Sequence, residues 1–242
     1  MSEYAKSAEV YDALSLAKKD YATEAEQVHA LIQQRTRADG NDLLDVACGT
    51  GLHADALRRW YHVEGLDLSP AQLAIARKRL PDVTFYQADM TRFETGKLYD
   101  AITCLYGAIG ELLDIGQVNS AIGAMAKHLK PGGVLIVEPW LRPEQFREDR
   151  IWSDFIDEPE LKVARMTIAE RHGTIVDLTM RYMVGRPGAI EAFVEHHQEA
   201  LHTVAEQMNA FTLASLDAVH DEDGLNGRGL YIATEPLASG SD

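Results

Sequence analysis

Apolar and polar positions follow two different rhythms along this chain, and the change falls near Pro139. Before it, short apolar runs alternate with stretches of helical spacing. Ala25, Val28, Leu31 and Ile32 form one stripe on a helix predicted over 20–37, stopped near Asp39-Gly40. A first strand over 43–48 follows, then a helix over about 51–60 and a second strand over 63–68. Ser69-Pro70-Ala71-Gln72 has the form of a capping box with proline at the first helical position. The helix it starts carries Leu73, Ala76 and Leu80 before Pro81. Strands over 83–88 and 100–105 come next, then a helix over 117–129, broken by Lys130-Pro131-Gly132-Gly133. The fifth strand, 134–137, is apolar on both faces. Strands alternating with helices across short turns predict a doubly wound, mostly parallel α/β sheet.

After Pro139 the segments 161–171, 174–185 and 190–203 alternate in period two around His172-Gly173 and Arg186-Pro187-Gly188. They predict three antiparallel strands. A helix near 204–214 and strands over 215–220 and 228–234 bring the main sheet to seven strands. The expectation is one domain over 1–242: a nucleotide-binding core at 20–140, a three-stranded antiparallel insertion at 160–204, and the last helix and strands at 205–235. The tail 238–242 is expected to fray.

Composition narrows the partners. A net charge of −15 argues against nucleic acid or an anionic membrane, since either needs a basic face. No apolar run approaches the roughly 20 residues that span a bilayer, and Met1-Ser2-Glu3-Tyr4 lacks a basic-then-apolar signal. Cys48 and Cys104 both lie in apolar runs and read as buried, reduced thiols of a cytoplasmic protein. The expected partner is a small molecule.

The run Leu43-Leu44-Asp45-Val46-Ala47-Cys48-Gly49-Thr50-Gly51 carries the first chemistry. A small-residue turn after a strand lets a ligand lie against the backbone. Gly49-Thr50-Gly51-Leu52-His53-Ala54 also fits the loose dinucleotide pattern. The acids around it favour S-adenosylmethionine (SAM). Asp45, inside the first strand, suits the cationic amino-acid end of SAM, with Ala47, Gly49 and Gly51 as the backbone cradle. Asp67 and Leu68 end the second strand, where a carboxylate can take two ribose hydroxyls. Asp89-Met90 end the third, suited to an adenine amine and ring, and Leu105 ends the fourth, suited to the other ring face. All fall at carboxyl ends of successive strands, where an open α/β sheet binds its ligand.

The motifs DVACGTG, GLDLSPAQL, QADM and LKPGGVLIVEPW resemble those of class I SAM-dependent methyltransferases. The segments Val10-Tyr11-Asp12, Lys19-Asp20-Tyr21, Val137-Glu138-Pro139-Trp140, Val163-Ala164-Arg165 and Gly227-Arg228-Gly229-Leu230 extend the resemblance to the N,N-dimethyltransferases of nucleotide-linked amino sugars in the desosamine and mycaminose pathways. The resemblance implies a Rossmann-like fold, SAM turned over to S-adenosylhomocysteine, a homodimer and no metal. It implies that Tyr21 closes over SAM and that Tyr11, Trp140, Arg165 and Arg228 face the acceptor, the arginines suiting a diphosphate. Tyr106 and Arg142 join the candidate acceptor wall, and His197 matches a histidine of those enzymes.

The acceptor side also departs from that family. Leu141 and Arg142 stand where it carries a second tryptophan and a phenylalanine. Thr167-Ile168 stand one residue beyond where it has Ser-His, and Glu111 replaces a tyrosine or histidine after the fourth strand. Glu111 is the candidate catalytic group, able to attract a cationic amine or accept its proton; a plain helix-start carboxylate fits its position as well. His196-His197 and His202 lie on a predicted strand, where adjacent side chains oppose, which argues against a metal. N-methylation of an amine such as a nucleotide-linked amino sugar leads. O-methylation of a small natural product and SAM binding without transfer stay open.

Overall fold

The computed structural model describes residues 7–237, so the expectation of a frayed tail lies outside the described residues. Helix α1 (Ala8–Leu16) and helix α2 (Tyr21–Arg35) precede the sheet. Asp20 caps α2 by accepting from the Ala22 and Thr23 N–H groups, which places Tyr21 on its first turn. Strand β1 (Asp42–Val46), helix α3 (Leu52–Leu57), strand β2 (His62–Asp67), helix α4 (Pro70–Arg79) and strand β3 (Phe85–Gln87) follow. Strands β4 (Tyr99–Cys104) and β5 (Leu129–Val137) flank helix α5 (Ile115–Lys127). Helix α6 (Val204–Leu213) leads to β10 (Asp217–Asp221) and β11 (Leu230–Thr234).

The main sheet has the order β10-β11-β5-β4-β1-β2-β3. Pairs β1–β2, β1–β4, β2–β3 and β4–β5 are parallel, whereas β11 runs antiparallel to both β5 and β10. Two apolar layers cover it. One packs Ile102, Leu135 and Val137 against Ile122, Met125 and Phe211; the other packs Leu43 and Ile136 against Val28, Leu57 and Leu73. Both faces are therefore dry, which explains why the parallel strands read as unbroken apolar runs. Ser69 caps α4, accepting from the Gln72 N–H with Pro70 in the first turn; this is one half of the expected capping box, and the Ser69 N–H donates to Asp67 instead.

Three features depart from the sequence expectations. Residues 130–133 do not end a helix–strand turn but run within β5, whose register against β4 shifts between Tyr99 and Ala101. Helix α1 was not foreseen; its buried Val10 and Leu14 pack on Ile156, Val163, Tyr182 and Val184.

Third, the insertion is a separate sheet of four strands, not three: β6 (Trp152–Glu158), β7 (Leu161–His172), β8 (Ile175–Arg186) and β9 (Ala189–Ala200), antiparallel in chain order. Strand β6 gives no period-two signal because Asp154 lies on its inner face between Trp152 and Ile156, while Phe155 lies on its outer face.

Candidate active site

The carboxyl ends of β1, β2, β3 and β4 open into a cavity of about 700 Å³. Beyond Val46 the chain leaves the sheet through a turn in which Ala47, Gly49 and Gly51 have φ of 55°, 57° and 81°. Ala47 thus carries a side chain in the left-handed region that glycine usually fills. Asp67 braces this turn: Oδ2 accepts from the Gly49 N–H at 2.8 Å and Oδ1 from the Ser69 N–H at 2.7 Å. Each oxygen keeps a further lone pair for a hydroxyl donor. Burial raises the Asp67 carboxyl above its ordinary value.

Asp45 is 2% exposed and lines the same cavity. Its Oδ1 accepts from the Thr103 hydroxyl at 2.9 Å, while Oδ2 has no hydrogen-bond partner. Burial pushes its carboxyl up to about 6, only partly opposed by His53 and Thr103. An orphaned buried carboxylate oxygen at a ligand cavity fits a cationic ligand group. Leu68 lines the cavity yet is 68% exposed, an apolar surface that a flat ring would cover. Met90 and Leu105 complete that wall. Asp89 also lines it, with Oδ1 accepting from the Thr91 N–H and hydroxyl. These residues fit SAM, whose sulfonium would supply an already activated methyl group.

The N-terminal helix is clasped to this turn. Asp12 accepts from the Thr50 hydroxyl and pairs with Arg79, whose guanidinium also donates to the Thr50 carbonyl. Tyr21 lines the cavity with its ring 4.5 Å from that of His53.

Tyr11, Tyr106, Glu111, Trp140, Arg165 and Arg228 line the other part of the same cavity. Burial holds the hydroxyls of Tyr11, Tyr21 and Tyr106 above their ordinary range, so they remain protonated hydrogen-bond donors at neutral pH. Arg165 is fixed by Asp154, whose Oδ2 accepts from Nε at 2.8 Å and Nη2 at 2.5 Å. Lys18, which also lines the cavity, sits 2.5 Å from the other Asp154 oxygen. One fork edge of Arg165 is therefore already occupied, leaving Nη1 beside the Tyr182 hydroxyl at 3.5 Å.

Three expected residues are not among those lining the cavity: Gly51, Arg142 and His197. Gly51 caps α3 instead. Arg142 lies 3.3 Å from Glu144, and His197 is buried 3.5 Å from Glu195. Lining residues that the sequence did not point to include Lys18, Leu178, Met180, Tyr182 and Glu199. Four of these lie on β8 and β9, on the face that also presents Arg165, so the period-two rule counted from Arg165 could have found them. Lys19 and Glu138 stand beneath the lining. Nothing in their spacing separates a buried charge from a surface one. Among the described residues no group of three or more His, Cys, Asp or Glu is placed to hold a metal ion, and no helix is long and apolar enough to cross a membrane.

A seven-stranded sheet of this order, with a left-handed turn after β1 and acids at successive strand ends, defines a class I SAM-dependent methyltransferase. Residues 43–133 match the family described as a methyltransferase domain. The chain is 37% identical over 228 residues to dTDP-3-amino-3,4,6-trideoxy-alpha-D-glucopyranose N,N-dimethyltransferase of Streptomyces venezuelae, covering 93% of this chain and 96% of that one. The crystal structure of Streptomyces venezuelae DesVI superposes with a TM-score of 0.90 at 37% identity, covering 96% of this chain and 98% of that one. A SAM-bound amino pentose methyltransferase from Micromonospora echinaspora, involved in calicheamicin biosynthesis, superposes with a TM-score of 0.85 at 38% identity, covering 93% and 96%. The chain belongs to the family of SAM-dependent dTDP-amino-sugar N,N-dimethyltransferases. It is a methyltransferase that uses SAM.

Proposed function

We propose that this enzyme methylates the amino nitrogen of a dTDP-linked amino sugar. The observation that carries the reading is the union, in one cavity, of the strand-end acids with Arg165 and Arg228, guanidinium groups suited to a nucleotide diphosphate. Asp45 takes the cationic end of the donor, Asp67 the ribose, and Asp89, Met90 and Leu105 the adenine. Tyr21 covers the donor, and Ala47 and Gly49 bring the backbone against it. Tyr11, Tyr106 and Trp140 hold the sugar so that its nitrogen meets the methyl group in line. Glu111 attracts the amine and accepts its proton. The test is a turnover screen with SAM against dTDP-linked amino sugars, free amines and phenols, read by mass gain. Gain of one or two methyl groups on the nucleotide-linked amines is expected; methylation of phenols alone would sink the reading.

The outer face of the four-stranded sheet supports a homodimer. Phe155, Met166, Ile168, Met183, Ile190 and Val194 share that face and are all exposed. Light scattering should give twice the 26.8 kDa chain mass, and Met183→Lys should return the monomer. The two free thiols support a cytoplasmic location; cell fractionation checks it.

A further inference from the structure

Two charged side chains lie beneath the cavity without a place among its donor or acceptor contacts. Lys19 has only 5% of its side chain exposed, and Glu138 none of it. Glu138 directly follows β5, and its own N–H donates to the Cys104 carbonyl at 2.9 Å, so its backbone is held as firmly as a strand rung. Its side chain makes three links. Oε2 accepts from the Tyr106 N–H at 2.6 Å and lies 3.9 Å from the Lys19 ammonium, which Glu24 also holds at 2.8 Å. Oε1 accepts from the Asn226 side-chain amide.

Each link ends beside a cavity wall. Tyr106 is itself a wall and sits at φ 62°, a left-handed backbone that an aromatic residue adopts only when its surroundings impose it. Lys19 stands two residues before Tyr21, its ammonium 4.0 Å from the Tyr106 ring centre and 5.5 Å from that of Tyr21. Asn226 stands two residues before Arg228, whose guanidinium is 5.6 Å from the Tyr106 ring. Trp140 stands two residues after Glu138. The space between them is full: a Cβ at Gly107 would lie 3.1 Å from Arg228 Nη1 and 3.3 Å from the Trp140 Cα.

We propose that Glu138 is a positioning residue for methyl transfer, one buried carboxylate that sets Tyr106, Arg228 and Tyr21 relative to each other. The arrangement is economical in a physical sense: the donor cover and the acceptor walls come from distant segments, and their shared anchor makes them move together or not at all. In-line transfer is sensitive to such offsets, with about 100-fold lost for an ångström of misplacement. The acceptor part of this role rests on the acceptor side of the cavity assigned above. The tests therefore use whichever acceptor the wild type turns over in the screen, so failure of the amino-sugar reading leaves them intact.

Glu138→Ala should lower kcat about 100-fold while raising the Kd for SAM less than about threefold. In the ligand-free protein it should speed hydrogen exchange at 105–111 and 225–229, with 43–67 unchanged. Asn226→Ala, at an exposed residue, should raise the acceptor KM about fivefold in the wild type with kcat unmoved. In the Glu138→Ala background it should add nothing, because its link is already gone. A merely structural role would instead give effects that add. The proposal is overturned if Glu138→Ala keeps kcat within twofold, if exchange at the two segments is unchanged, or if Asn226→Ala costs the same in both backgrounds. Should Glu138→Ala fail to fold, Asn226→Ala alone decides: an unchanged acceptor KM overturns the proposal.

Discussion

In the half of the cavity we assign to the donor, the shape comes from the main chain: a left-handed turn over 47–51, two N–H groups held by Asp67, and strand ends that fall in one row. In the acceptor half the walls are side chains from five separate segments, carried on α1, the turn after β4, residue 140, the second sheet and the 228 loop. The first kind of wall is specified by a few adjacent residues and changes only if the backbone does. The second can be rebuilt one side chain at a time. Substitutions in the walls themselves should therefore act on one ligand or the other, and a wall variant that moved both would show that the division is false; Glu138, which lies beneath both halves, stands outside this rule.

The largest separation is expected at Asp45. Asp45→Asn should weaken SAM binding by about 100-fold, the loss of a buried charge-assisted contact of about 3 kcal/mol, as measured by calorimetry. Its effect on the fold has the opposite sign. With its carboxyl pushed up to about 6, the ligand-free folded chain holds a proton that the unfolded chain has already released. Stability from this group is thus lost as pH rises from about 4 to about 6, by on the order of 2–3 kcal/mol. Ligand-free Asp45→Asn should melt above the wild type at pH 7.5, and the difference should vanish near pH 4. SAM binding by the wild type should fall below about pH 6, as the proton removes the charge.

Arg228→Ala should be smaller and confined to the acceptor: about a tenfold rise in KM, about 1.4 kcal/mol, with SAM affinity unchanged. The same sugar amine without its nucleotide should show no such rise. Glu111→Gln is expected to act least, about threefold on kcat with a displaced acid limb in the pH–rate profile. Unchanged turnover and an unchanged profile would remove Glu111 from the chemistry.

The same division explains what could be read from the chain. The parallel strands and their order of chemistry were legible because apolar runs buried on both faces have no competing pattern, and because Asp45 interrupts such a run while Asp67 and Asp89 follow one. The acceptor half was harder. The inner face of the second sheet carries Asp154, Arg165, Glu195, His197 and Glu199, while its outer face carries Phe155, Met166, Met183 and Ile190. A face that mixes these polar groups with the buried Ile156, Val163, Leu178 and Val184, opposite a face with exposed apolar side chains, defeats the rule that apolar positions point inward. Strand β6 is hidden by that mixture, and helix α1 by being short, with its apolar Val10 and Leu14 meeting their partners only across the second sheet. Arg142 stands where the resembling family carries a phenylalanine, yet a place in a motif does not tell which side of the chain a side chain leaves. Lys19 and Glu138 were hidden because burial of a charge is a property of the fold.

The second sheet begins after β5 and ends before α6, so residues 138–203 form one uninterrupted excursion from the main fold. The seven strands β10-β11-β5-β4-β1-β2-β3 close without any of it. The share of the cavity wall that this stretch carries, Trp140, Arg165 and Tyr182 among it, is therefore replaceable as a unit. A lineage, or an engineer, can exchange that single stretch for another of different length and pocket, while the machinery that presents the methyl group is inherited intact.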